Sequence, residues 1–148
     1  MKIEDEISQP KFRNAHQKAV INLIFTSNWL ITRQQELLKP FGITAQQFNI
    51  LRILKGQNSQ SISGTSIKSR MLDKNSDVSR LLDRLAAKQL IDKKICPSDK
   101  RAADVTITQK GLDVLTRIDE TQKVSDSILS LTEEEMNQLS TLLDKCRG

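Results

Sequence analysis

The residues that could carry catalysis or hold a metal ion are few and scattered along the chain. The 148 residues include one histidine, His16, and two cysteines, Cys96 and Cys146, fifty positions apart. Two cysteines at this distance form neither a disulfide framework nor a zinc-ligand cluster. The sequence also contains no nucleophile motif and no glycine-rich phosphate loop. We therefore expect neither an enzyme nor a bound cofactor or metal, and we interpret His16 as a packing or surface residue.

The net positive charge of the chain is concentrated in one segment. The window from Ser66 to Arg101 contains ten basic and five acidic residues, an excess equal to the whole net charge of +5. Outside this window 13 basic residues balance 13 acidic ones. A quarter of the chain therefore carries the entire excess, as a surface that binds a polyanion does, although a merely solvated face gives the same count. The structural elements that carry these residues decide between the two interpretations.

The remaining composition is that of a folded protein, with 37% hydrophobic and 28% charged residues, five glycines and three prolines. The N-terminal sequence MKIEDEISQP is acidic where a secretory signal is basic. The most apolar early stretch, residues 19–25, is too short to span a bilayer. We expect a cytoplasmic protein without a membrane partner.

A long helix is predicted from about Lys11 to Lys39, after a frayed acidic arm. Apolar residues recur through it at helical spacing without an internal glycine or proline, and Pro40 and Gly42 end it. An apolar stripe of this length in a small protein packs against something comparably long, such as a partner chain.

Capping signatures predict three further helices. Thr44 and Thr132 are each followed three residues later by Gln or Glu, which forms a capping box. Thr108 has the flanking apolar residues of such a start, but Gly111 occupies the third position and removes the box. The predicted helices are 45–55, 109–124 and 133–146.

The basic window is predicted to fold as two helices joined by a short turn. Ser63 caps a helix over 64–71, and Asn75 caps a second over 76–88. The apolar residues of the second helix share one face: Val78, Leu81, Leu82 and Leu85. Helices of this length joined by three or four residues match a helix-turn-helix.

A β-hairpin is predicted directly after these helices. Apolar and polar residues alternate over 90–96 and again over 102–108, which favours two half-buried strands. The segment 97–101 between them has the composition of a turn with a charged tip. A hairpin in this place is a wing, so the excess charge falls on the second helix and the wing.

The run LDKNSDVSRLLDRLAAKQLIDKKICPSDKRAADVTITQKG over 72–111 closely resembles the core of the MarR (multiple-antibiotic-resistance regulator) family of winged-helix transcription factors. The matching features are Ser-Arg-Leu in the second helix, Leu-Ile before the first strand, Asp99-x-Arg101 at the tip and Thr-Ile-Thr-x-Lys-Gly over 106–111. Weaker similarity over GITAQQFNIL and the long first helix extends the resemblance to most of the chain.

The resemblance implies a mainly α fold with a small β-wing, in which a winged helix-turn-helix is flanked by dimerisation helices. The arm and long helix occupy 1–42, the DNA-binding region 43–108 and the C-terminal dimerisation helices 109–148. It also implies a homodimer that binds double-stranded DNA at a pseudo-palindromic operator, usually as a repressor that a small ligand or a stress signal releases. Two-fold symmetry places the recognition helices about 34 Å apart.

The start of the second helix is the part expected to meet base edges. Arg80 could bind a guanine bidentately or form an ion pair with Asp77 or Asp83. Asp77 could accept from a cytosine amino group, but we favour a role in stabilising the helix N-terminus. The candidate residues of this helix are Asn75, Ser76, Asp77, Ser79, Arg80 and Arg84.

The wing supplies a second set of candidates: Lys93, Lys94, Asp99, Lys100 and Arg101. Arg101 is expected to enter a narrow minor groove, with Asp99 orienting an arginine and the three lysines contacting phosphates, although a merely solvated turn is the alternative. The hydroxyls of Ser63, Thr65 and Ser66 could also contact a phosphate, and simple capping explains Ser63 equally well.

The sequence gives weaker indications of how the protein is regulated. Phe25 and Trp29 are either core or dimer contacts, or line the effector pocket that the resemblance implies. Some members of the family sense oxidants through a cysteine in the first helix, and this chain has none there. Cys96 lies beside the wing, with only local lysines to activate it.

An alternative function is a winged-helix module that contacts protein or RNA, since a fold does not fix a function. The chain has one Trp, four Phe and no Tyr, which argues against recognition of single strands by base stacking.

Overall fold

A computed structural model describes residues 1–96, 99–124 and 128–148 of the protein. In it, helices surround one small sheet. Within these residues the helices are α1 (Ile3–Glu6), α2 (Ala15–Leu38), α3 (Ala45–Lys55), α4 (Gly64–Arg70), α5 (Val78–Ala87), α6 (Gln109–Val124) and α7 (Glu133–Arg147), with a 3₁₀ turn at Lys39–Phe41. The strands are β1 (Ile62–Ser63), β2 (Ile91–Cys96) and β3 (Asp99–Ile107). The mainly α fold with a small β-wing is confirmed. Of the helices described, none is long and apolar enough to cross a membrane.

The sheet is antiparallel, in the order β1, β3, β2. Strands β2 and β3 form the predicted wing, paired from Ile91 opposite Ile107 to Cys96 opposite Asp99. The second strand was predicted to start at residue 102, but it starts at Asp99, so this part of the predicted turn is strand. Pro97 and Ser98 lie outside the described residues. The two-residue strand β1 was not predicted, because so short a segment shows no alternation.

The hydrophobic core lies in the central part of the chain, between α3, α4, α5, α6 and the sheet. The predicted apolar face of α5 is buried as expected, and the deepest core residues include Ile50, Leu51, Ile67, Leu85, Val105 and Leu115. Helix α2 contributes one buried residue, Leu38 at its C-terminal end. Helix α7, all of whose residues are described, buries none.

The N-terminal segment differs from the prediction. Helix α2 begins at Ala15 rather than Lys11, since Asn14 is extended and its side chain accepts from the Gln17 N–H. The arm is not frayed, because it forms α1 with Ile3 buried. An ion pair at 2.5 Å joins Lys18 to Glu4, and the hydrogen bond from the Lys18 ammonium holds the pKa of the Glu4 carboxyl below its ordinary value.

The two predicted capping boxes are confirmed, at Thr44 with Gln47 and at Thr132 with Glu135. Backbone and side-chain hydrogen bonds from Thr132 lower the pKa of Glu135. Helices α3 and α6 have the predicted bounds, while α4 ends one residue earlier and α7 ends one residue later than predicted.

The predicted start of α5 is wrong. Asp77 caps this helix, not Asn75, and its carboxylate accepts from the Arg80 N–H at 3.2 Å. The Asn75 N–H donates instead to the side chain of Asp73 at 2.9 Å, within the turn. The proposed role of Asp77 at the helix N-terminus is thus confirmed.

Gly111 explains why α6 starts without a capping box. The Thr108 hydroxyl still caps the helix by accepting from the Gly111 N–H at 3.1 Å. A Cβ at position 111 would lie 2.3 Å from the carbonyl oxygen of Leu90 and 2.7 Å from the side chain of Ile107. Glycine is required here because helix and wing approach too closely for any side chain.

Gly111→Ala should therefore destabilise the fold by about 1–3 kcal/mol, since the backbone of Leu90 must move. Urea unfolding followed by circular dichroism measures this difference. Gly56→Ala is the matched control, because Gly56 has φ −64° and its nearest neighbour would lie 3.4 Å from the new Cβ. Equal midpoints for Gly111→Ala and the parent chain would contradict the packing argument.

The corrected cap gives a second prediction. Asp77→Ala should lower the free energy of unfolding by about 1 kcal/mol, because the Arg80 N–H loses its acceptor. Asn75→Ala serves as the control and should change it by less than about 0.5 kcal/mol. Both are measured by the same urea titration, and a larger loss for Asn75→Ala than for Asp77→Ala would restore the original assignment.

Candidate nucleic-acid interface

Helix α5 presents a basic face to solvent because its other face is fixed in the core. Val78, Leu81, Leu82 and Leu85 are buried, while Ser79, Arg80 and Arg84 are exposed. Arg80 and Arg84 are four residues apart and therefore lie on one side of the helix. Among the described residues neither forms an ion pair.

The ion pair considered for Arg80 is absent from the described part of the chain. Asp77 accepts from the backbone N–H of Arg80, and Asp83 is paired with Lys93 at 2.8 Å. Within the described residues the guanidinium of Arg80 is thus left with all its donors for an external acceptor. A guanidinium fork of this kind matches phosphate oxygens or the O6 and N7 atoms of guanine.

Ser76 does not lie where the sequence placed it. It precedes the helix and is only 5% exposed, with a side-chain oxygen that has no hydrogen-bond partner among the described residues. The expectation that Ser76 lies on the solvent side of α5 is wrong, because the helix begins two residues later than predicted. Asn75 is exposed in the turn.

The turn before α5 is held by side chains of α3 that sequence reasoning missed. The Asn49 side-chain oxygen accepts from the Leu72 N–H at 2.9 Å, and Gln46 donates to the Asp73 carboxylate at 3.0 Å. The signal in the sequence was a pair of polar residues three positions apart on α3, which therefore share one face of the helix. Their partners lie 23 and 27 positions away in the sequence, so the pairing itself could not be predicted from local spacing.

Two lysines of the wing have described side chains, and of these Lys93 is bound to α5 whereas Lys94 forms no ion pair with a described residue. Lys93 lies opposite buried Val105 in the register, so its side chain is on the inner face of the wing, where it reaches Asp83. Lys94, the next residue, is on the outer face and exposed. The backbone of Asp99, Lys100 and Arg101 belongs to β3, and their side chains lie outside the described part.

Of the hydroxyl residues at the start of α4, Ser63 and Ser66 form the helix cap and Thr65 is exposed to solvent. Ser63 caps the helix by accepting from the Ser66 N–H at 3.1 Å, and its hydroxyl also lies 3.1 Å from that of Ser66. Thr65 is exposed. Sequence reasoning left out two exposed basic residues in the last turn of this helix, Lys68 and Arg70.

The remaining candidates lie away from this surface. Phe25 and Trp29 are on the side of α2 that faces α1. His16 is exposed, as is Cys146 on α7, and the side chain of Cys96 is not among those described. No group of three or more His, Cys, Asp or Glu side chains that could hold a metal ion occurs in the described residues.

The chain is similar to known transcriptional regulators. Residues 43–103 match the model of the MarR family. The transcriptional regulator MhqR of Bacillus subtilis is 26% identical over 106 residues, which are 70% of this chain and 72% of MhqR. The transcriptional repressor IacR of Pseudomonas putida is 28% identical over 112 residues, 74% of this chain and 66% of IacR.

A solved structure extends the similarity to nearly the whole chain. A mutant of MarR from E. coli, complexed with operator DNA, superposes with a TM-score of 0.64 at 28% identity, covering 84% of this chain and 91% of MarR. The matched residues 43–103 contain α3, α4, α5 and most of the wing. Over residues 43–103 the chain is similar to the MarR family of transcriptional regulators.

Proposed function

We propose that this protein is a transcriptional regulator of the MarR family, a cytoplasmic homodimer that binds a pseudo-palindromic operator in double-stranded DNA and represses transcription until a small ligand or stress signal releases it. The exposed side of α5 carries the proposal, because Arg80 and Arg84 face solvent without an ion pair among the described residues. A basic helix face beside a wing is suited to the major groove. Similarity to E. coli MarR in complex with operator DNA and to the repressor IacR supports it.

Each part of the surface has a proposed role in this complex. Ser79, Arg80 and Arg84 contact base edges and phosphates of the major groove, with exposed Asn75 at the margin. Asp77 acts on the helix rather than on DNA. Arg101 enters the minor groove, oriented by Asp99, and Lys94 and Lys100 contact phosphates. Thr65 and the capping pair Ser63 and Ser66 approach the backbone, while Lys93 fixes the wing to α5.

Two unpartnered apolar faces support the homodimer. On α2 and around α7 the following residues are 37–60% exposed: Val20, Leu23, Ile24, Leu30, Ile31, Leu131, Met136, Leu139 and Leu142. Contiguous apolar surface on this scale marks an interface. Because the two faces belong to segments 1–42 and 109–148 at either end of the chain, we propose that these segments form the dimer and that 43–108 binds DNA.

The first test is selection of bound duplexes from fragmented genomic DNA, followed by affinity measurements on the selected site. Arg80→Ala should weaken binding by about 1–3 kcal/mol and relax the preference at one base pair, since a bidentate contact is lost. Arg101→Ala should also weaken binding. Arg147→Ala is the control, because Arg147 lies at the end of α7 and pairs with Asp144.

The salt dependence separates contacts to phosphates from contacts to bases. Loss of one phosphate contact reduces the slope of log affinity against log salt by about 0.9. Recovery of no symmetric site, or unchanged affinity in both arginine variants, would contradict the proposal. Tighter binding of single-stranded RNA than of duplex would favour the alternative function instead.

The homodimer gives a separate prediction. Leu139→Glu combined with Leu142→Glu should convert the protein to monomer, because two carboxylates would enter an apolar interface. Asn137→Glu with Thr141→Glu adds the same charge on the opposite side of α7, where both residues are exposed, and should leave the dimer intact. Sedimentation at several concentrations measures the mass. A parent chain that is monomeric throughout would contradict the assignment.

A further inference from the structure

Leu72 is the most exposed leucine in the part of the chain that the structure describes, with an exposed fraction of 86%. It lies in the turn between α4 and α5, and the residues that flank the turn in the core are Met71 and Ser76. The chain therefore leaves the core at Leu72, shortly before the helix with the exposed arginines, and returns to it at Ser76. A single exposed leucine is common in proteins, so what this one can bind depends on how it is held and on what surrounds it.

Hydrogen bonds hold the backbone of this turn. The Leu72 N–H donates to the side-chain oxygen of Asn49 at 2.9 Å. The Ser76 N–H donates to the carbonyl oxygen of Asp73 at 3.3 Å, which closes a β-turn over 73–76. Leu72 is thus an apolar group on a backbone that is already ordered. A partner that covers it immobilises little more than one side chain, so the loss of conformational entropy on binding is small.

The turn also brings Leu72 close to the start of α5. Consecutive Cα atoms are about 3.8 Å apart, and the two ends of a β-turn lie within about 7 Å of each other. The Cα atoms of Leu72 and Ser76 are therefore at most about 11 Å apart, and Ser76 directly precedes Asp77, the cap of α5. The major groove of DNA is about 12 Å wide. When the start of α5 enters this groove, Leu72 lies inside the groove or at its edge.

The charges around Leu72 suit a polyanion. Arg70 and Lys74 are exposed on either side of it in the sequence, and among the described residues neither forms an ion pair. The acidic residue of the turn, Asp73, has both carboxylate oxygens engaged within the fold. One accepts from a glutamine of α3 at 3.0 Å and the other from the Asn75 N–H at 2.9 Å. Leu72 is therefore an apolar group between two basic residues that remain available to phosphates.

The major groove offers an apolar side chain one base-specific partner, the C5-methyl group of thymine. We propose that Leu72 packs against the C5-methyl group of a thymine in the operator and is a specificity-determining residue in addition to the arginines of α5. This inference rests on the proposed DNA-binding function and names a base that the turn selects. Burial of one methyl group corresponds to about a fourfold change in affinity, so the contact contributes modestly to affinity and selects one base.

The test uses the intact protein and the duplex that it selects from genomic DNA. Each thymine of the site is replaced in turn by deoxyuridine, which lacks the methyl group and keeps every hydrogen-bonding group of the base. The parent chain should bind about threefold to fivefold more weakly when one particular thymine of each half-site is replaced. Leu72→Ala should bind the unmodified duplex about threefold to tenfold more weakly and show no further loss at that thymine, because the contact is already absent.

Two further substitutions at the same position separate apolar contact from side-chain size. Leu72→Met keeps an apolar side chain and should retain the deoxyuridine penalty, whereas Leu72→Asn, similar in shape but polar, should lose it. Ile95→Ala is the matched control, because Ile95 is another exposed aliphatic residue, on the wing, and its loss should leave the penalty unchanged. Since Leu72 is outside the core, its variants should unfold at the same urea concentration as the parent chain.

An equal deoxyuridine penalty in the parent chain and in Leu72→Ala at every thymine would overturn the proposal. So would unchanged affinity of Leu72→Ala for the unmodified duplex, a result that would assign the exposed leucine to a protein partner instead. Both results are distinct from a failure of the proposed function. A parent chain that selects no duplex overturns the two proposals together, whereas a chain that binds its site through Arg80 without coupling at Leu72 overturns only this one.

Discussion

The segment Lys88–Leu90, directly after α5, holds the winged helix together because α3 and the start of α6 both bond to it. Its carbonyl oxygens accept from the Thr108 N–H and hydroxyl and from the Lys110 ammonium, at 2.8–3.1 Å. The Lys88 ammonium donates in turn to Gln47 of α3 at 3.2 Å. Only a glycine at position 111 lets α6 approach this backbone. The orientation of α5, the first strand of the wing and the start of α6 are therefore fixed by one another.

This arrangement divides the basic residues of the window from Ser66 to Arg101 into two groups. Lys88 and Lys93 bond to neighbouring elements, and Lys74 donates to the Ser69 carbonyl at 2.6 Å. Arg80 and Arg84 stay exposed and unpaired among the described residues because the buried face of α5 turns them outward. The net charge of the window thus overstates the charge available to DNA, since some of it maintains the fold that presents the rest.

The sequence predicted best the features that depend on residues close together in the chain. Capping at Thr44 and Thr132 joins residues three apart, and both helix starts were correct. Asn75 and Asp77 are both good caps, and the choice between them depends on the turn, which Asn49 holds from 23 residues away. Local pattern therefore identified α5 and its exposed arginines, but it could not determine where the helix begins or that Ser76 is buried.

Helix α2 shows why a long helix in a small protein needs more than its own chain. Its apolar residues lie on two sides, and within the described chain only Leu38 is fully buried. The arm through Ile3 partly covers the side of Phe25 and Trp29, whereas no described residue gives comparable cover to the side of Leu23 and Ile31. A second copy would supply that cover at a free-energy gain proportional to the apolar area removed from water. Because the helix is continuous and ends at buried Leu38, a second copy bound on that side would contact the element that leads into the winged helix.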